Sequence, residues 1–202
     1  CPDGLEVIAG IGDLCEWPGF QEGFWCMQDR SAQWVSPLLE VKPGEKVLDA
    51  CSAPGGKTTH LAELMSNSGE IWAVDRSNER LKRVSANAIR LGLNCINYLV
   101  ADASSLLDIK PEWNRFFHKI LLDAPCSGLG TLSRHPDARW RMSPEKVDEL
   151  VRLQSNLLEG LLPLSRRDRT SMCRFQSLPL NSDQLMMILC RLVLQPRANH
   201  LN

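Results

Sequence analysis

Four short apolar runs in this chain each deliver an aspartate at or just beyond their ends, and the fourth delivers a cysteine with it. Lys119-Ile-Leu-Leu122 leads directly into Asp123-Ala-Pro-Cys126-Ser-Gly. A continuous apolar run of that length reads as a parallel strand buried on both faces. Open α/β sheets place their chemistry beyond the carboxyl ends of such strands. The acid and the thiol, joined by a stiff proline, therefore fall where a ligand would sit. Upstream, Lys46-Val-Leu-Asp-Ala50 reads as another strand, and Asp49-Ala-Cys-Ser-Ala-Pro-Gly-Gly-Lys-Thr58 carries it through a glycine turn. The two segments together suggest a nucleotide-type cofactor facing a reactive thiol.

The intervening sequence alternates between two periods. Glu70-Ile-Trp-Ala-Val74 is a strand ending at Asp75, and Asn97-Tyr-Leu-Val100 is a third, followed by Asp102. Residues 58–65 have helical spacing. Residues 79–91 form an amphipathic helix with Leu81, Val84, Ala88 and Leu91 on its apolar face, closed by Gly92. Ser143 caps a long helix that starts with Pro144 and carries an apolar stripe through Val147, Leu150, Val151, Leu157, Leu158 and Leu161. Such alternation predicts an α/β fold, a parallel sheet with right-handed crossovers and helices on its faces. We read residues 1–45 as a lead-in and 46–164 as the core. In the lead-in, Pro18-Gly19 and Pro43-Gly44 are turns, and residues 28–31 are expected to begin a helix on the sheet's edge.

Residues 165–202 read differently. They hold six arginines, two aspartates, and no lysine or glutamate, whereas the first 164 residues use lysine and glutamate freely. A glycine turn and another buried strand should follow the long helix. The tail shows neither, so the sheet is expected to be incomplete at its carboxyl end and the fold to be of low stability. Leu185-Met-Met-Ile-Leu189 is the segment expected to fold back over the exposed surface.

A net charge of −1 gives no global basic field to attract nucleic acid, which leaves that role to a local patch. The eight cysteines are irregularly spaced without a CxxC pair, as expected of reduced thiols in an intracellular compartment. His60, His118, His135 and His200 lack ligand spacing, so no metal site is expected. No apolar stretch is long enough to span a bilayer, and no membrane partner is expected. Because the chain opens on Cys1, we expect a fragment or a processed product.

The loop from Cys51 through Ser52, Ala53, Pro54, Gly55 and Gly56 to Lys57 brings backbone amides close to a ligand at a helix start. Its spacing is neither a Walker loop nor GxGxxG, and a tight β-α turn explains it equally well. Asp75 stands where ribose hydroxyls are commonly met, and Asp102 where an adenine amino group would be. One exposed aspartate at a strand end means little, but acids at successive strand ends beside a glycine turn argue for a site. Cys126 reads as a reactive thiol, favoured by amides at the following helix start, over a buried apolar one. Arg134, Arg139 and Arg141 with Trp140 form a basic loop containing an aromatic residue, suited to phosphate contact and base stacking.

The combination resembles the Sun/NSUN family of RNA cytosine-C5 methyltransferases, and within it the bacterial-type small-subunit rRNA branch. The matching stretches are Pro18-Gly-Phe-Gln-Glu-Gly-Phe-Trp25, Gln28-Asp-Arg-Ser-Ala-Gln33, Asp49 to Thr58, Val74-Asp-Arg76, Asp123 to Thr131, and Arg134-His-Pro-Asp-Ala-Arg-Trp140. The likeness covers roughly residues 5–164. It implies a Rossmann-like methyltransferase fold, S-adenosylmethionine as cofactor, and RNA, expected to be rRNA, as partner. Residues 51–57 would cradle the methionine part of the cofactor, with Arg80 also in the cofactor site. Asp75 would hold the ribose, Asp102 the adenine, and Asp123 would lie between cofactor and base. The resemblance implies two thiols. One, here Cys126, assists product release. The other attacks C6 of cytosine from a later Thr-Cys motif, and no Thr-Cys pair occurs in these 202 residues. We therefore expect a tail from an altered reading frame or splice boundary, leaving a crippled enzyme core, a binding remnant or a non-functional product. The cytoplasm is the expected compartment, with a plastid or other organelle as the alternative.

Overall fold

The computed structural model describes residues 4, 6, 7, 12–126 and 143–166, and the backbone of 171–177 and 187–193. Among the described residues, six strands form one sheet: β1 (Lys46–Asp49), β2 (Glu70–Asp75), β3 (Ile96–Val100), β4 (Lys119–Leu122), β5 (Ser171–Ser177) and β6 (Met187–Val193). Their spatial order is β3-β2-β1-β4-β5-β6. β1 to β5 run parallel to one another, and β6 is antiparallel to β5.

Alternation along each strand divides the core into two layers. Val47, Ile71, Ala73 and Leu121 face one side, where they meet α1 (Val35–Leu38), α2 (Gly56–Leu64) and α3 (Asn78–Arg90). Leu48, Val74, Ile120 and Leu122 face the other, under α4 (Leu106–Ile109) and α5 (Pro144–Leu161). Trp113 and Phe117 extend this second layer, their rings 5.1 Å apart edge to face. Both faces are thus covered by helices, which is the condition for an all-apolar parallel strand.

Helix ends follow local chemistry. Ser77 caps α3 by accepting from the Arg80 amide, and Gly92, at φ +69°, stands just past the C-cap Leu91. Ser143 caps α5 by accepting from the Lys146 amide, with Pro144 following. The stripe of α5 is only partly buried: Leu157 and Leu161 are in the core, whereas Val147 and Val151 are 40% and 47% exposed. Gly160 lies against the turn Ala103–Ser105, where a Cβ would stand 2.3 Å from the Ser104 carbonyl oxygen. This close approach seats α5.

Two expectations are corrected. Residues 28–31 form a loop rather than a helix, because the Asp29 carboxylate accepts from the Ser31 amide and hydroxyl and stabilises a turn. The helical residues begin at Ala32, and α1 packs on α2 rather than at the sheet's edge. More consequentially, strands do follow Leu164. The Phe116 and Phe117 amides both donate to the Leu164 carbonyl at 3.0 Å, and Phe117 bridges Ser165 in parallel. The chain is thus delivered alongside β4, whose outer edge offers unpaired backbone groups to an extended segment. β5 takes that edge in the register Lys119↔Ser171 to Leu122↔Arg174, and β6, which overlaps the segment expected to fold back, covers β5.

Removing residues 167–202 should therefore bare the edge of β4, lower the melting temperature and promote self-association. Calorimetry and size-exclusion chromatography would check this. Gly160→Ala should cost about 1–3 kcal/mol through overpacking against Ser104, outweighing its helix-propensity gain of at most about 1 kcal/mol. A chemical denaturation curve would measure it.

Candidate functional site

Strand order reverses between β1 and β4, so the connections leaving their carboxyl ends diverge and frame a crevice. The loop of residues 50–55 enters it from β1, and Asp123 to Cys126 from β4. Across the crevice, Lys57 Nζ meets Asp123 Oδ2 at 2.7 Å.

The first loop is held by backbone bonds to both neighbouring strands. The Ala50 amide donates to the Leu121 carbonyl and the Ser52 amide to the Val74 carbonyl, both at 2.9 Å. The Ala53 amide donates to Asp75 Oδ2 at 3.3 Å. Gly55 turns the chain into α2 at φ +107°, and a Cβ there would press on Val84 Cγ1 of α3 at 2.9 Å. Glycine is therefore required by this turn and its neighbour. The first amides of α2, from Gly56 and Lys57, point out of the helix start, where an anionic group is favoured. Outside the helix, Gln28 Nε2 donates to the Gly56 carbonyl at 3.2 Å and the Ser36 hydroxyl to the Lys57 carbonyl at 3.2 Å. The lead-in thus braces the cofactor-type loop from behind.

The aspartates at the strand ends differ in their surroundings. Asp75, buried at the end of β2, accepts from the Ser77 and Ala53 amides. Arg80 lies 3.7 Å from Asp75 Oδ2 and donates to the Ala53 carbonyl at 2.7 Å, so it staples loop to strand end. Asp102 caps the turn Ala103–Ser105, accepting from the Ser104 amide and hydroxyl, and pairs with Arg76. Burial works to raise the Asp102 carboxyl, but these bonds outweigh it and hold the group below the usual carboxylate range.

Asp49 was not among the expected site residues. Its carboxyl is fully buried behind the loop, with Oδ2 accepting from the Thr58 hydroxyl at 2.7 Å and Oδ1 unpartnered. Burial first, opposed by the Thr58 bond and reinforced by the Asp123 charge, pushes it up to about 7. The visible signal was position alone: an acid that ends β1 and is enclosed by the loop it starts.

The two thiols at this edge also differ. Cys51 is partly buried, and burial together with Asp49, Asp75 and Asp123 pushes it up to about 12, so it is a neutral thiol. Cys126 is exposed. Its loop is held from the second layer by Gln154 of α5, which donates to the Pro125 carbonyl at 2.9 Å. Gln154 was also missed, although it interrupts the apolar stripe of α5. The structure thus gathers Cys51 to Lys57, Asp75, Arg80, Asp102, Asp123 and Cys126 at one edge of the sheet. Arg134, Arg139, Trp140 and Arg141 lie outside the described residues. Among the described residues, no helix is long and apolar enough to cross a membrane.

The buried Asp49 sets a pH dependence. Its folded value of about 7 exceeds the ordinary 3.8, so between these values the folded state binds more protons than the unfolded. Its contribution favours the fold at low pH and is lost as pH rises from about 4 to about 7. Asp49→Asn should flatten the fall in stability between about pH 4 and pH 7, as read from melting temperatures of the two proteins.

Comparison with known proteins gives the following. Residues 36–174 match a family model described as 16S rRNA methyltransferase RsmB/F. A probable ribosomal RNA small subunit methyltransferase B from Synechocystis sp. is 44% identical over 169 residues, covering 84% of this chain and 37% of that protein. The ribosomal RNA small subunit methyltransferase B of Pseudomonas syringae pv. tomato is 44% identical over 164 residues, covering 80% and 35%. Among solved structures, PH0851 matches with a TM-score of 0.78 and 37% identity over 83% of this chain and 37% of that one. NSun6 from Pyrococcus horikoshii, solved with the S-adenosylmethionine analogue SFG, matches with a TM-score of 0.72 and 31% identity over 82% and 41%. The chain spans a little over a third of the length of the curated relatives it matches.

Proposed function

From the premise that this chain belongs to the 16S rRNA methyltransferase RsmB/F family, we propose that it forms the cofactor-binding core of an S-adenosylmethionine-dependent RNA cytosine-C5 methyltransferase acting on small-subunit rRNA. The carrying observation is the crevice between β1 and β4, with the Cys51–Lys57 loop on one wall and Asp123 and Cys126 on the other, bridged by Lys57 and Asp123.

The donor set fits the cofactor. S-adenosylmethionine carries ribose hydroxyls and amino groups that donate and a carboxylate that accepts, and the crevice offers the carboxylates of Asp75, Asp102 and Asp123 for the first and the amides at the start of α2 for the second. The α2 start would take the methionine carboxylate, Asp75 the ribose, and Asp102 the adenine. Bound there, the cofactor supplies an activated methyl group. The chain's own residues position it, and they present Asp123 and Cys126 to the base.

Cytosine C5 is a poor nucleophile until a thiolate adds at C6. The family resemblance assigns that attack to a Thr-Cys motif, which these 202 residues lack. We therefore infer cofactor binding without efficient turnover. A second reading gives the attack to Cys126. It is favoured by the contrast between an exposed Cys126 and a neutral, partly buried Cys51.

Calorimetric titration with S-adenosylmethionine should give one-to-one binding. Asp75→Ala should weaken it by roughly 10- to 100-fold, as expected for losing a hydrogen bond to a charged group. Absence of binding by the folded chain would overturn the assignment. Incubation with small-subunit rRNA and methyl-labelled cofactor should leave cytosine unlabelled. Label at cytosine C5 that Cys126→Ala abolishes would establish the second reading, and label at any other atom would overturn cytosine-C5 chemistry.

A further inference from the structure

We propose that Gln154 is a positioning residue for Cys126, and that α5 sets the thiol's orientation through it. The inference rests on the reading of Cys126 as a working thiol of the proposed function.

Gln154 is 2% exposed and occupies the middle of the apolar face of α5, four residues after Leu150 and three before Leu157. An apolar side chain would fill that place without a polar group to satisfy, and burying an amide is costly unless it is hydrogen-bonded. Its Nε2 donates to the Pro125 carbonyl at 2.9 Å. That carbonyl belongs to the planar peptide joining Pro125 to Cys126, and the proline ring already fixes φ on its other side. Ala124 is buried just before it. One bond therefore fixes the plane from which the Cys126 side chain departs.

The same helix is seated independently on the loop after β3. Gly160 lies against the Ser104 backbone, in the turn that Asp102 caps. Leu157 and Leu161 hold the helix to the core between these points. α5 is thus a cross-brace between the Asp102 turn and the Cys126 loop, two loops of the site that do not share a strand. Its rigidity fixes the spacing between the acid assigned to the cofactor's adenine and the thiol assigned to the base.

The test is the alkylation rate of Cys126 by iodoacetamide in the full chain, followed by peptide mass mapping so that the other cysteines are counted separately. Gln154→Met keeps the length and removes the donor. Leu157→Val loosens the same helix and keeps the bond. Gln154→Met should speed Cys126 alkylation about fivefold, the factor to which a net hydrogen bond of about 1 kcal/mol converts, and leave Cys95 unchanged. Leu157→Val should lower the melting temperature and leave the Cys126 rate within about twofold, since the bond itself is intact. An unchanged or slower rate in Gln154→Met, or equal acceleration in both variants, would overturn the proposal. So would a Gln154→Met chain that fails to fold where Leu157→Val folds, because the bond would then hold the domain rather than the loop. Neither cofactor nor RNA enters this experiment. A Gln154-dependent rate in a chain that binds no S-adenosylmethionine would overturn the proposed function and leave the positioning intact.

Discussion

The parallel pairing of β1 with β4 is the contact on which the rest of the site depends. Chain order runs outward from it in both directions, β1 to β3 on one side and β4 to β6 on the other. Asp49 stands level with Leu121 in the ladder, so the two strands end together and their loops face each other. The opposite end of the pair is clamped as well. The Lys46 amide donates to His118 Nδ1 at 3.0 Å, and the His118 amide returns a bond to the Lys46 carbonyl at 2.9 Å. A slip of one residue would exchange the two core layers along a whole strand, sending Leu48 where Val47 packs. Register, crevice and loop placement are therefore a single constraint.

The parts of this arrangement that were legible in the sequence are those with local causes. The first four strands announce themselves as apolar runs, and α3 and α5 as amphipathic stretches with caps at Ser77 and Ser143. The convergence of Asp75, Asp102 and Asp123 also follows, because parallel strands end on one edge. What was not legible depended on a distant partner. Nothing in residues 171–177 alone says that β4 leaves an edge beside them, or that Leu164 and Ser165 deliver the chain to it. Gln154 reads locally as a defect in a stripe and gains its meaning from the Pro125 carbonyl 29 residues earlier. Val147 and Val151 continue the α5 periodicity, yet the sheet beneath that helix covers only its later turns.

Electrostatics at the crevice separates what holds the fold from what prepares the site. Lys57 and Asp123 keep 23% and 36% of their side-chain surface exposed, and pairs of that kind contribute about 0–1 kcal/mol. Their pairing is weak as stabilisation and inexpensive to exchange for other partners, which suits groups on the two walls of a binding crevice. Asp49 behaves oppositely. It is sealed behind the loop, costs stability when ionised, and with a value of about 7 is protonated in mildly acidic solution and ionises as pH rises through neutrality. The loop that encloses Asp49 is the same loop that presents Lys57, so one short segment carries both the sealed acid and the exposed pair.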